Sequence, residues 1–195
     1  VITLLADGTV AAWGRNNQGQ IGDGTRTDRS SPRVVSGLSG IVAVETGHYH
    51  SLALDDDGRI WSWGYNAFGQ LGDGTTTRRQ TPVRVQGIDD AVAIAAGRDM
   101  SYAIRSNGTL WAWGLNGDGQ LGDGTTSTRT TPVRVGNLTD VVEVAGGRDH
   151  GLAVRANGEV WAWGWNRFAQ VGDGTTTDRT SPVRVTGISA ATSVI

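Results

Sequence analysis

The chain has 195 residues, 30 of them glycine, with no cysteine and a formal net charge of −2. That balance excludes a general electrostatic pull toward nucleic acid, and the lack of cysteine excludes a disulfide framework and thiolate metal sites. No apolar run reaches the length of about 18 residues that reads as a membrane-spanning helix. The length suits one domain with a substantial core, and the abundance of Gly, Thr, Val and Ala suits short strands joined by tight turns. All 17 basic residues are arginine, which codon usage explains as readily as selection for planar donors that bind carboxylates. Residue 1 is valine and no signal-peptide pattern follows, so the reading is of a segment taken out of something longer.

In chain order, Val1–Leu4 reads as a strand, Asp7-Gly8 as a hairpin turn, and Val10-Ala11-Ala12-Trp13 as the returning strand. A glycine-rich loop holds Asn16, Gln20 and Gly22-Asp23-Gly24-Thr25, and Pro32 opens a short outer strand. The same text then returns every 50 residues: Trp13, Trp63, Trp113, Trp163; Asn16, Asn66, Asn116, Asn166; Pro32, Pro82, Pro132, Pro182. No copy carries an insertion or deletion. The second copy shows the whole unit, with strands from Ile41 toward Gly47, over Ser51–Leu54, over Arg59–Trp63 after the Asp57-Gly58 turn, and from Pro82 to Val85. Asp-Gly at this turn predicts positive φ at both central residues, and proline suits a strand start, where no ladder donor is needed.

Period-two alternation puts Trp61 and Trp63 on one face of the third strand and Ile60 on the other. Both faces are apolar, so both must be buried. Stacked blades achieve that, and a period near 50 suits four-stranded blades; a β-solenoid, the main competitor, has shorter repeats without hairpins. The fold expected is all-β, a β-propeller of four 50-residue, four-stranded blades. Repeat units fall at about 1–40, 41–90, 91–140 and 141–190, with 191–195 as a closing strand. Val1–Leu4 aligns with Ser51–Leu54 and Ala191–Ile195 with Ala91–Ala95, so the N- and C-terminal strands are complementary parts of one blade. Closure within one chain gives four blades, and closure as a homodimer gives an eight-bladed ring. Loss of neighbouring repeats is a third reading, and all three stay open, with assembly or truncation preferred over a self-contained four-blade ring.

Site chemistry is expected where the copies differ. Each Asp-Gly-Thr loop offers one certain carboxylate, far short of a Ca²⁺ cage, and an aspartate bonding its own turn explains it better. His48 and His50 lack a third ligand for zinc. His50, Ser51 and Ser101 recur as parts of the repeat, so no catalytic constellation stands out; the chain reads as a non-enzyme without metal or cofactor. What varies is loop tips: Arg15, Tyr65, Leu115 and Trp165 after each Trp-Gly, then Phe68, Arg167 and Phe168, and on a second loop His48, Tyr49, Arg98, Asp99, Arg148 and Asp149. A constant framework with variable tips is how scaffolds carry recognition, and Tyr, Trp, Phe and Arg are the residue types enriched at binding hot spots. These thirteen residues are the expected partner-binding set, for a protein partner rather than nucleic acid or membrane.

The unit, carried by Val44, Gly47, His50, Ser51, Leu54, Asp57-Gly58, Trp63-Gly64, Asn66 and Gly69-Gln70-Leu71-Gly72, closely resembles the regulator of chromosome condensation repeat family over essentially the whole chain. The resemblance implies a β-propeller, seven-bladed in the eukaryotic founder. That founder is a nucleotide exchange factor for a small GTPase that also docks on chromatin, while other members include a secreted bacterial β-lactamase inhibitor and many interaction domains. Of the exchange factor's acidic and histidine loop positions only Asp149-His150 matches in both types, and no unit carries a wedge-like insertion, so exchange is not expected here. The function expected is a protein-interaction scaffold. The alternatives are an architectural segment of a bacterial secreted or surface protein, or a regulator of a partner enzyme.

Overall fold

The structure is a computed structural model that describes residues 1–195. It is all-β. The first sheet holds β1 (Ile2–Leu4), β2 (Val10–Gly14) and β3 (Arg29–Val34). The second holds β4 (Ile41–Thr46), β5 (His50–Asp55), β6 (Ile60–Gly64) and β7 (Arg79–Arg84), and the third β8 (Ala91–Ala96), β9 (Met100–Arg105), β10 (Leu110–Gly114) and β11 (Arg129–Arg134). The fourth holds β12 (Val141–Gly146), β13 (His150–Arg155), β14 (Val160–Gly164) and β15 (Arg179–Arg184). Every sheet is an antiparallel meander in chain order. The sheets pack flank to flank, β1 on β4, β5 on β8 and β9 on β12, as propeller blades do.

The core lies between blades rather than within them. Trp63 is buried among Val10, Ala12, Ile21 and Val35 of the first blade. Trp113 sits among Leu52, Leu54, Ile60 and Val85 of the second, and Trp163 among Tyr102, Leu110, Leu121 and Val135 of the third. All three indoles are fully buried. A buried indole must find an acceptor for its N–H. Each Nε1–H donates to a carbonyl of the preceding blade, those of Gln20, Gln70 and Gln120, at 3.0, 2.9 and 2.8 Å. Glycine is required beneath the ring: at Gly72, where φ is +66, a Cβ would lie 2.8 Å from Trp113 Nε1.

The glycine-rich loops are held by their asparagines. Buried Asn66 donates through Nδ2 to Asp73 Oδ1 (3.2 Å), the Thr75 carbonyl (3.1 Å) and the Thr77 carbonyl (3.0 Å), and its Oδ1 accepts the Leu71 N–H (3.0 Å). Asp73 Oδ1 accepts both the Thr75 N–H and hydroxyl. Desolvation pushes the Asp73 carboxyl up, but the Thr75 hydroxyl and the Arg79 guanidinium outweigh it and hold the group below the usual carboxylate range. The Asp-Gly-Thr motif thus bonds its own loop.

Three expectations differ in detail. At the Asp57-Gly58 hairpin only Gly58 has positive φ (+81). The Gly58 N–H bonds the Asp55 carbonyl and the Asp55 N–H the Arg59 carbonyl, so the turn is longer by a residue and needs one left-handed position, not two. The outer strand begins at Arg79, ahead of Pro82, because a register shift between Ser62 and Gly64 lets the ladder run past the proline on an edge where its missing donor costs nothing. Residues 191–195 form no strand, and the first sheet has three strands rather than four. The first and fourth blades do not pack together as neighbouring blades do, so these residues lie beside β12 instead, where the Val194 N–H donates to Glu143 Oε2 at 3.2 Å.

Replacing Trp113 with alanine removes the largest side chain of its joint and empties a site that cannot collapse. It should destabilise the fold by about 3–5 kcal/mol, read as a fall in the urea midpoint at unchanged slope. A loss below about 1 kcal/mol would mean that the inter-blade core does not hold the propeller together.

Candidate functional site

Two loop families meet at one end of the blades. The loop joining the first two strands of a blade and the loop following its third strand are tied by backbone bonds, Tyr65 N–H to the Tyr49 carbonyl (2.8 Å), Leu115 to Asp99 (2.9 Å) and Trp165 to Asp149 (2.8 Å). Inner loops of successive blades are also tied, the His48 N–H to the Arg98 carbonyl (3.2 Å) and the Arg98 N–H to the Gly147 carbonyl (3.3 Å). The variable tips therefore stand on a rigid base.

Between them lies an open groove of about 850 Å³ that spans the second, third and fourth blades and touches the first at Gln18. An aromatic row runs along one side. His48 stacks on Tyr49 with centroids 3.9 Å apart, and Tyr49 meets Tyr65 edge-on at 6.4 Å. Tyr65 meets Phe68 at 6.1 Å. Arg15 lies over the Tyr49 ring at 5.3 Å and donates to its hydroxyl at 3.3 Å. The other side is charged. Arg98 bridges Asp99 (3.0 Å) and Asp149 (2.9 Å), while Arg148 touches Asp149 at 3.3 Å with its side chain largely in solvent.

Of the thirteen expected residues, His48, Tyr49, Tyr65, Phe68, Arg98, Asp99 and Arg148 line this groove, and Arg15 reaches it through Tyr49. Asp149 stands behind Arg98, and like Asp99 it is buried, so both serve to orient arginine more than to meet a partner. Leu115 is half-buried and outside the groove. Trp165 and Phe168 form a separate edge-to-face pair at 5.3 Å on the fourth blade, with Phe168 and Arg167 exposed. Gln18, Thr46, Gly97 and Gly147 also line the groove. The repeat alignment marks Gln18 as variable, but the glycines contribute backbone alone, for which no residue type is a signal.

His50 lies beneath the groove floor, fully buried, with Nε2 2.9 Å from Ser101 Oγ. This pair is not a nucleophile and base. The Ser101 hydroxyl donates to the Gln70 carbonyl at 2.9 Å, so the imidazole must be the donor, and its Nδ1 is left without a partner. Burial pushes the His50 pKa down to about 4, and burial also lowers His150, against the opposing pull of Asp149.

A family model described as RCC1-like domain matches residues 1–195. Among curated proteins, the ultraviolet-B receptor UVR8 of Arabidopsis thaliana is 43% identical over 54 residues, 27% of this chain and 12% of its own length. Protein RCC2 of Homo sapiens is 37% identical over 57 residues, 28% of this chain and 11% of its own length. Among solved structures, Prp20p of Saccharomyces cerevisiae, described with its binding to Gsp1p and histones, superposes with a TM-score of 0.82 at 28% identity over 94% of this chain and 48% of that one. Human WBSCR16 superposes with a TM-score of 0.82 at 25% identity, again over 94% and 48%. The chain thus spans about half the length of these structures and about a tenth of the curated relatives.

The buried histidine makes stability depend on pH. His50 has a folded pKa of about 4 against an ordinary value of 6.5, so between those values the unfolded chain binds a proton that the folded chain refuses. Stability therefore falls as pH drops from 6.5 toward 4, by about 3 kcal/mol if this group acts alone. Met100 fills the same place in the third blade. His50→Met should keep the fold and flatten the pH dependence of the urea midpoint in that window; an unchanged slope would mean that His50 is protonated when folded.

Proposed function

The chain belongs to the RCC1-like domain family, and from that premise we propose that it is a non-enzymatic protein-interaction propeller whose contact surface is the groove at the loop end. The observation that carries this reading is the convergence of Arg15, Tyr49, Tyr65 and Phe68 in one aromatic row beside Arg98 and Arg148. These tips differ between copies whose framework is otherwise constant. Rigid aromatics lose little entropy on docking, and Tyr and Arg are among the residues that dominate interface energetics. Prp20p, with its binding to Gsp1p and histones, and yeast RCC1 (Prp20) with Kap60 bound support protein recognition as the general role. A regulatory role toward a partner enzyme draws less support, because Asp149 is buried and committed to Arg98.

The test is capture from a native extract by the wild-type chain and by two folded variants. Tyr65→Ala with Phe68→Ala should weaken retention of one defined protein by about 30-fold or more. Trp165→Ala, outside the groove, separates the second patch from the first: an equal loss would place the contact surface on the fourth blade. Retention unaffected by either, or nothing retained, would leave an architectural segment instead.

A further inference from the structure

The blades have a second end. Each third strand starts at a hairpin turn and finishes at the groove, so the hairpins gather on the side opposite the groove. There the hairpin of one blade interlocks with the turn that enters the next. The Ala91 N–H donates to the Gly58 carbonyl (2.9 Å) and the Val141 N–H to the Gly108 carbonyl (3.0 Å). A Cβ on Gly58 would lie 3.0 Å from Asp90 Cα, and one on Gly108 would lie 3.0 Å from the Asp140 nitrogen. Like the groove, this end stands on a base tied from blade to blade.

What it presents is a row of valines. In the second blade Ile41 pairs with Asp55 and Ala43 with Leu54, so Val42 is skipped by the ladder. The same bulge skips Val92 and Val142 in the next two blades. A bulge re-aims the residue it leaves unpaired, and these three side chains are 55%, 59% and 57% exposed. Val42 and Val92 have a blade packed on either side of their own, so their exposure belongs to the fold. A single exposed valine is unremarkable, but the same one in three successive blades is a patch. Val92 and Val142 share a depression of about 550 Å³ with Ile104, Asn107 and Asp140.

The rim of this patch is acidic. Asp89 and Asp90 lead into the strand of Val92, and Asp140 into that of Val142. Asp55, Asp56 and Asp57 crowd the second blade's hairpin, with carboxylate oxygens within 4.8 Å of one another. The arginines at this end are already committed. Arg84 and Arg105 pair with Asp89 and Asp90 and lie over the rings of Trp61 and Trp111, at 5.6 and 5.5 Å. Arg59 takes Asp57, and Arg155 takes Asp140. Asp56 is exposed and has no arginine beside it. Acid is in excess.

We propose that the hairpin end is a second docking surface whose partner is a basic segment of another protein, with lysine or arginine flanking an aliphatic side chain that enters the depression between Val92 and Val142. The acidic rim draws the basic groups and repels phosphate, while the valines take only an apolar side chain. The surface does not depend on the groove. The two lie at opposite ends of the third strands, so the chain can hold one partner at each.

Fluorescence anisotropy with a labelled peptide of alternating lysine and leucine tests the proposal. In one control peptide glutamate replaces lysine, and in another serine replaces leucine. The lysine–leucine peptide should bind the intact chain, and both controls should bind it about tenfold more weakly or worse. Val92→Ser with Val142→Ser should weaken binding about tenfold. Asp56→Asn with Asp140→Asn should weaken it about threefold and flatten its salt dependence. All four positions are exposed, and asparagine suits the positive φ of Asp140 (+58), so circular dichroism should stay native. Tyr65→Ala with Phe68→Ala should leave the affinity unchanged, which separates this surface from the groove. A lysine–leucine peptide that does not bind overturns the proposal. So does a control that binds equally, a valine or aspartate variant that binds like wild type, or a loss in the groove variant.

Discussion

The bond from a buried indole to a backbone carbonyl of the neighbouring blade is the constraint on which the rest of this molecule depends. A small antiparallel sheet with two apolar faces cannot stand alone in water, and each blade here is such a sheet, of three strands in the first and four in the others. The indole covers the neighbour's flank, and its N–H, aimed at the carbonyl of Gln20, Gln70 or Gln120, fixes where on that flank it sits. Area alone would let blades slide against one another. A directional bond beneath a glycine that leaves no room for a side chain does not.

That fixed stacking is what makes a groove possible. The asparagine-centred loops are closed by their own hydrogen bonds, so tips such as Arg15, Tyr65 and Phe68 carry no structural duty and are free to differ. The inner loops are tied both within a blade, Tyr65 to Tyr49, and between blades, His48 to Arg98. A surface assembled from several blades behaves as one piece because its base is continuous. The same economy explains Asp99 and Asp149. Each is buried, and their shared partner Arg98 holds a guanidinium at the groove wall that would otherwise sweep through solvent.

Much of this was legible in the sequence because a strict 50-residue repeat samples each position four times. Trp63, Trp113 and Trp163 read as core because a large indole kept at one strand position in every copy has a packing reason. The strand order and the loop-tip set followed from the same alignment. What escaped was whatever depends on distance between copies rather than on residue type. Asp149 and Asp99 look like exposed loop acids until their shared Arg98 is seen. Trp165 and Phe168 align with Tyr65 and Phe68, yet fall outside the groove, which the fourth blade lines only through Gly146, Gly147 and Arg148 of its inner loop. The closing strand misled for a related reason: alignment says what 191–195 resembles, but pairing needs a partner within reach, and the first sheet is not.

The joint and the groove are therefore not independent parts. The groove wall runs from His48 through Arg98 to the Gly147 carbonyl, crossing two inter-blade joints, so its width is set by the angle at which Trp113 and Trp163 seat. A substitution in those seats would shift Arg98 and Arg148 relative to the aromatic row without touching either side of the groove. Variation at the tips, by contrast, leaves the seats alone, since the aromatic contacts of Tyr65 and Phe68 are with one another and with Tyr49 rather than with the indoles. Recognition can drift freely on this scaffold only in that one direction, from tip outward, and the constancy of Trp63, Trp113 and Trp163 beside the diversity of Arg15, Tyr65, Leu115 and Trp165 is what that asymmetry predicts.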